Sequence, residues 1–285
     1  MSKVVIVTGT STGLGISISV KAAQAGHKVY ATMRNLKKRD ALDAAATAAG
    51  VALDVLPLDV QDTASINTAV DAVIQKEGCI DLLINNAGAG YVRTTEQASE
   101  EDIDWVMDVN FRGVVRCTKA VLPHMRQQRS GHILTVSSVG GLVGQPFNEI
   151  YCAAKFAVEG YMEALATYVT APFGIHFSVV EPGGISTEFA ANVLEHVQQT
   201  GGMLEDEYLP ILQKYIGGAQ NRQAGSDIYQ TPDEVADVMM TCINADEPPI
   251  RMRTSKWAED FASLKTGLDP DGQQQRARVI QEFLS

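Results

Sequence analysis

Tyr151 and Lys155 stand four residues apart in Tyr-Cys-Ala-Ala-Lys-Phe-Ala-Val-Glu-Gly, a run compatible with a helix. On a helix that spacing sends both side chains out of one face, about one turn apart. The chemistry open to such a pair is proton transfer. A free tyrosine titrates near ~10, so acid/base work close to neutrality needs roughly 4 kcal/mol of help. A lysine ammonium about 4 Å away, at an effective dielectric of about 20, supplies about that much. The same spacing is common on ordinary helices, so the reading depends on the company the pair keeps.

The elements that must position the pair begin at the amino end. Residues 4–7, Val-Val-Ile-Val, form a β-branched apolar run of the kind found in a parallel strand buried on both faces. Thr8-Gly-Thr-Ser-Thr-Gly-Leu-Gly15 follows at once, and a helix is expected from about residue 16 to 25. Strand, glycine-rich turn and helix make a phosphate cradle, because glycines let the backbone approach a pyrophosphate and the helix start offers free N–H groups. Gly9, Gly13 and Gly15, with Thr10, Ser11, Thr12 and Leu14 between them, are the candidate contacts. The spacing Gly-x-x-x-Gly-x-Gly departs from the commoner Gly-x-Gly-x-x-Gly.

A second strand over 28–33 ends in Thr32-Met33-Arg34-Asn35. An acid here would bind a ribose 2′-hydroxyl and favour NAD, whereas an arginine suits a 2′-phosphate. With Arg34 present and no acid, NADP is the better match than NAD, unless Arg34 merely faces solvent. A helix over 36–48 leads to a third strand over 52–58, then Asp59-Val60; Asp59 either accepts from an adenine amino group or caps the next helix. A helix over 63–77 and a strand over 81–84 run into Asn85-Asn86-Ala87-Gly88, small residues and amides on which a flat ligand can lie. One long helix is expected over 100–128, and Asn110 inside it invites a reason. The fifth strand, 132–136, ends at Ser137-Ser138; the Tyr151 helix should reach about 171; the sixth strand, 175–180, closes with Glu-Pro182-Gly183-Gly-Ile185-Ser-Thr187.

This alternation predicts an α/β fold: a single doubly wound parallel sheet of Rossmann type, helices on both faces, spanning residues 1–285 as one domain. A 45% apolar and 20% charged composition is that of a chain with a large core. A net charge of −11 argues against nucleic acid and anionic membrane as partners. No apolar stretch approaches the ~20 residues of a membrane span, and the start leaves no room for a signal peptide. Cys79, Cys117, Cys152 and Cys242 are widely spaced, which fits reduced packing thiols of a cytoplasmic protein and no metal site.

In order and spacing, the glycine turn, Asn85-Asn-Ala-Gly88, Asn110, Ser138, Tyr151-x-x-x-Lys155 and Pro182-Gly183 resemble the short-chain dehydrogenase/reductase family over about residues 3–188. The resemblance implies that Tyr151 exchanges a proton with the substrate oxygen. Lys155 would lower its pKa, aided by an oxidised nicotinamide, and hold the nicotinamide ribose. Ser138 would polarise the substrate oxygen, and Asn110 would hold a relay water; Ser137 is a weaker candidate than Ser138. Gly9, Gly13 and Gly15 would meet the pyrophosphate, Asp59 and Val60 the adenine, Asn86, Ala87 and Gly88 the adenosine side, and Pro182, Gly183, Ile185 and Thr187 the nicotinamide. A homodimer or homotetramer is implied on the same basis. Residues 29–34 and 138–151 are similar to the hydroxysteroid and retinol dehydrogenase branch, which implies an apolar secondary alcohol or ketone. A cofactor-sensing binding protein, or an epimerase or dehydratase on the same fold, stays open as an alternative.

Substrate choice should sit beyond Thr187. Leu204, Tyr208, Ile211, Leu212 and Tyr215 are expected on one helical face, with Glu205, Asp206 and Glu207 in its first turn. Glycine pairs at 201–202 and 217–218 bracket it, which suits either a mobile lid within 187–230 or a static surface helix. Gln145, Phe147, Asn148 and Glu149, between Ser138 and Tyr151, are candidate substrate contacts or ordinary loop residues. Thr231-Pro-Asp-Glu starts a helix to about 245, a short strand follows over 250–253, and 254–285 is a helical extension with no legible chemistry.

Overall fold

The computed structural model describes residues 2–225 and 228–284, with side chains described outside 219–227. Residues 226 and 227 of the expected lid, and Ser285 of the extension, lie outside the described residues. Nine strands are described: β1 Val4–Thr8, β2 Lys28–Met33, β3 Asp54–Pro57, β4 Leu82–Asn85, β5 Gly131–Val136, β6 Ile175–Glu181, β7 Gly184–Ile185, β8 Tyr229–Gln230 and β9 Arg251–Arg253. The α-helices are α1 Gly13–Gln24, α2 Asp40–Ala49, α3 Thr63–Glu77, α4 Glu100–Met107, α5 Gly113–Gln128, α6 Glu149–Tyr168, α7 Thr170–Phe173, α8 Phe189–Gln199, α9 Leu209–Gly225, α10 Pro232–Ile243, α11 Lys256–Thr266 and α12 Gln273–Leu284.

Seven strands form one sheet in the order β3-β2-β1-β4-β5-β6-β9, and every pairing is parallel. Alternation along β1 divides the core. Ile6 joins Leu83, Ile133 and Val179 against α3, α5 and α6, while Val5 and Val7 join Leu82, Ile84, Leu134 and Val180 against α1 and α10. Each such Ile or Leu contributes about 2 kcal/mol by leaving water, so the two faces hold the sheet rigidly at its carboxyl ends, where the candidate site residues gather. The start of β1 is pinned as well, since the Asp81 carboxylate accepts the Val4 N–H at 2.7 Å.

Four boundaries depart from the sequence reading. The first helix starts at Gly13, inside the glycine turn, and not at 16. The expected helix over 100–128 is two helices joined by a π-turn, Asp108–Arg112, with Asn110 at its middle. The helix after the glycine pair begins at Leu209, so Leu204 and residues 205–207 lie before its start; Leu212 is buried but Ile211 is 56% exposed. Helix α8 was not expected; Phe189, Val193, His196 and Val197 on it are spaced as a helix face, but the short run lacks a start signal. Thr231 does form the full capping box with Glu234 that opens α10.

Candidate active site

The glycine turn is held from three sides. The Thr8 hydroxyl accepts the N–H groups of Asn86 and Ala87, each at 3.0 Å, and the Asn86 carboxamide donates to the carbonyls of Thr8 and Gly9, each at 2.9 Å. Thr10 is fully buried and donates from its hydroxyl and its N–H to Thr32 O. Gly9 and Gly13 have φ of +71° and +56°, and a Cβ on Gly9 would sit 2.7 Å from Ala87 Cα. A side chain on Gly15 would strike the Gly9 carbonyl. Only glycine fits these positions.

These residues suit a dinucleotide pyrophosphate. Thr12, at the start of α1, makes no side-chain cap, and no acid stands in the first turn, so the N–H groups there are open to an anion. Ser11 and Thr12 are accessible at that end, whereas Leu14 packs into the core and contributes backbone only. Arg34 is exposed just past β2. Asp59 accepts the Gln61 N–H at 3.0 Å, an Asx turn that leaves its second oxygen available, and neighbouring Val60 is buried. On the far side, Gly13 and Thr187 nearly touch: a Cβ on Gly13 would lie 2.9 Å from Thr187 Cγ2. Ile185 is fixed by the small parallel pair of β7 and β8, and Pro182 O accepts the Val139 N–H at 2.9 Å.

Tyr151 and Lys155 leave α6 on one face, and the Lys155 ammonium lies 5.7 Å from the Tyr151 ring centroid. Lys155 is 5% exposed and its Nζ donates to Val136 O at 3.0 Å. Burial pulls its pKa down to about 8, a shift opposed by Glu159. Burial also pushes the Tyr151 phenol up to about 12, although a hydrogen bond from Ser138 works against that. The lysine therefore does not depress the phenol as the spacing alone suggests. Its charge is spent on the Val136 carbonyl and on the cost of its own burial. Ser138 caps a short 3₁₀ turn, accepting the Gly140 N–H at 3.0 Å, which leaves its hydroxyl proton for Tyr151 or a ligand oxygen.

Asn110 is fully buried in its π-turn. Its amide donates to Ala89 O at 2.8 Å and Val106 O at 3.0 Å, and its Oδ1 accepts the Ala89 N–H at 3.1 Å. It thereby ties the helix break to the loop after β4. Gly88 lies between Asn110 and Lys155: a Cβ there would be 3.1 Å from Asn110 Oδ1 and 3.6 Å from Lys155 Nζ.

Gln145 packs near Gly140 and Cys152. Phe147 adopts φ +62° and lines a cavity of about 370 Å³ with Thr94, Glu96, Glu149, Tyr208 and Ile211. Asn148 does not line that cavity and donates to Pro146 O and the Tyr215 hydroxyl, at 2.8 and 3.0 Å. Over Tyr151 lies Phe189 of α8, with ring centroids 6.1 Å apart, and Phe189 also presses on Gly90.

Arg93 escaped the sequence reading because it sits in an aperiodic loop with no motif around it. Its guanidinium is buried at the end of α8, donating to the carbonyls of Val197, Thr200 and Gly202, while its backbone N–H donates to Phe147 O. One residue thus joins the α8 end to the loop before Tyr151. His196 on α8 stacks on Trp105 at 4.8 Å and faces Asp102 at 3.4 Å, a second tie.

A glycine turn on a bare helix start, facing a Ser-Tyr-Lys cluster at the carboxyl edge of an all-parallel sheet, defines a dinucleotide-dependent oxidoreductase class. The family model for short chain dehydrogenases matches residues 3–198. The human 17-beta-hydroxysteroid dehydrogenase type 1 is 38% identical over 89% of this chain and 77% of its own length. Bovine retinol dehydrogenase 8 is 38% identical over 95% of this chain and 86% of its own. Among solved structures, an actinorhodin polyketide ketoreductase crystallised with NADPH superposes with a TM-score of 0.71 at 29% identity, covering 85% of this chain and 90% of that one. The chain belongs to the short-chain dehydrogenase/reductase family and is an NAD(P)-dependent oxidoreductase. Among the described residues no helix is long and apolar enough to cross a membrane.

Proposed function

We propose that the protein transfers hydride between NADP(H) and an apolar secondary alcohol or ketone, with Tyr151 as the acid/base. The observation that carries this is the meeting of the Tyr151 phenol, the Ser138 hydroxyl and the Lys155 ammonium in one cluster. When bound, the nicotinamide supplies or takes the hydride. In the reducing direction Ser138 donates to the carbonyl oxygen, polarising it, and Tyr151 gives that oxygen its proton. In oxidation the phenolate takes the proton back, and Lys155 stabilises the phenolate charge, so the same pair serves both directions.

Arg34 supports NADP over NAD, being an exposed cation at the place where a ribose 2′-phosphate would lie. Phe189 over Tyr151 and the cavity beside Phe147 support an apolar substrate, with segment 187–230 as its lid, Gln145 and Phe147 as contacts and Asn148 positioning the lid through Tyr215. The chain reads as one domain, 1–285, and as a homodimer or homotetramer. Phe156, 42% exposed on α6, offers an apolar contact for the second copy.

The test is a panel of ketones and alcohols with NADPH and NADH. Tyr151→Phe should lower turnover by about 10²- to 10⁴-fold with cofactor binding kept. Tight cofactor binding without turnover by the wild type would leave a sensor as the better reading. Arg34→Ala should weaken NADPH far more than NADH, as read by titration calorimetry, and equal losses would defeat the choice of NADP.

A further inference from the structure

The face of α6 that carries Tyr151 and Lys155 continues one turn further to Glu159, which is 6% exposed. Behind it lies Glu181, the last residue of β6, fully buried, and Ser137, 4% exposed, follows the end of β5. Ser137 and Glu159 converge under Gly141, where an added Cβ would be 2.6 Å from Ser137 Oγ and 2.9 Å from Glu159 Oε1, and Glu181 faces Glu159. Both Glu159 oxygens, Glu181 Oε1 and Ser137 Oγ are buried without a hydrogen-bond partner of good geometry. Four orphaned polar atoms in one cluster require an explanation.

Charge counting around the cluster supplies one. Arg253 of β9 pairs with Glu181 and with Glu259 of α11, each at 2.9 Å. Arg251 of β9 is taken by Glu163 of α6 at 2.7 Å. The cation left to Glu159 is Lys155 itself. Two carboxylates buried side by side do not both ionise. Burial raises the Glu181 acid too, but Arg253 and a bond from Glu159 oppose that, whereas burial and Glu181 both hold the Glu159 acid well above the usual carboxylate range, so the proton rests on Glu159.

We propose that Ser137, Glu159 and Glu181 form a proton-holding site behind the catalytic pair, in which loss of the Glu159 proton steadies the charge of Lys155. The proposal rests on the reading of Lys155 as the partner of Tyr151. While Glu159 is neutral, the Lys155 ammonium has the Val136 carbonyl but no buried counter-ion. When Glu159 loses its proton to solvent base, a negative charge appears one turn away and steadies the ammonium. Glu159 is then a positioning residue, acting on the phenol through Lys155.

The two carboxyls give opposite signatures, which a merely structural role would not. Glu159→Gln removes the negative charge for good, so the alkaline limb of kcat/KM moves to lower pH by about one unit. Glu181→Gln removes the like charge, lets Glu159 ionise earlier and moves the limb to higher pH. Shifts of the same sign, or none, overturn the proposal. Infrared difference spectra of wild type, with labelled glutamate and no substrate, should show a buried protonated carboxyl at neutral pH that Glu159→Gln abolishes. Its absence from the wild type overturns the proposal even if either variant fails to fold. Retained turnover in Tyr151→Phe would instead sink the catalytic reading and leave the infrared band in place.

Discussion

Lys155 holds its position at a cost. Its pKa, near 8 in the folded chain against 10.5 for a free lysine side chain, means that the unfolded state binds the proton more tightly. The penalty is therefore complete below about pH 8 and is relieved as pH rises from 8 towards 10.5, so this residue makes stability increase across that window. Lys155→Met should remove the rise and stabilise the cofactor-free protein at pH 7 by roughly 2 kcal/mol, after allowing for the lost bond to Val136. Thermal unfolding across pH checks this; parallel curves for the two proteins would refute it. Turnover should fall in the same variant. The four-residue spacing made the pair legible in the sequence, but spacing does not reveal that the ammonium has a backbone carbonyl to satisfy before it can help a phenol.

The segment over Tyr151 is held by a few polar ties between elements, and Arg93 makes the densest of them. Arginine donates in several directions at once, so a single side chain reaches three carbonyls at and just past the α8 end. Arg93→Ala should leave the sheet intact and speed amide exchange across residues 189–202, with KM rising several-fold and kcat changing less. Unchanged exchange there would show that His196 and the apolar contacts suffice. Cofactor and substrate together should raise protection across 201–218 if the segment works as a lid. The sheet and the helices that cover its faces were legible because β-branched runs and helix periods repeat in strict alternation. The π-turn at Asn110 was not, because periodicity continues through it and only the hydrogen bonds to Ala89 and Val106 reveal the break. Helix α8 was obscured for the opposite reason, having a short apolar face and no cap.

At the scale of the molecule, the extension over 254–285 does more than lengthen the chain. Trp257 of α11 lies on Gly183, where a Cβ would be 3.0 Å from its ring, and stacks on Phe261 at 4.8 Å. It buttresses the loop proposed to meet the nicotinamide. Trp257→Ala should weaken cofactor binding by about 3- to 10-fold, roughly 1 kcal/mol, with the unfolding midpoint little changed. Calorimetric titration reads the first and thermal melting the second; a large drop in midpoint with unaltered affinity would assign Trp257 to the core alone. No sequence motif marks this tail as part of the site, since its contribution is a surface pressed against a glycine and not a reacting group.

The seven-stranded order places β9, residues 251–253, beside β6, residues 175–181. During synthesis the β6 edge must wait for more than 70 further residues to emerge before its neighbour arrives. Arg253, which neutralises Glu181, comes with that neighbour. A nascent chain halted before this point exposes both an open strand edge and an uncompensated acid, features that attract chaperones and proteases. Closing the sheet edge and neutralising Glu181 are thus one event, and it comes late in the chain.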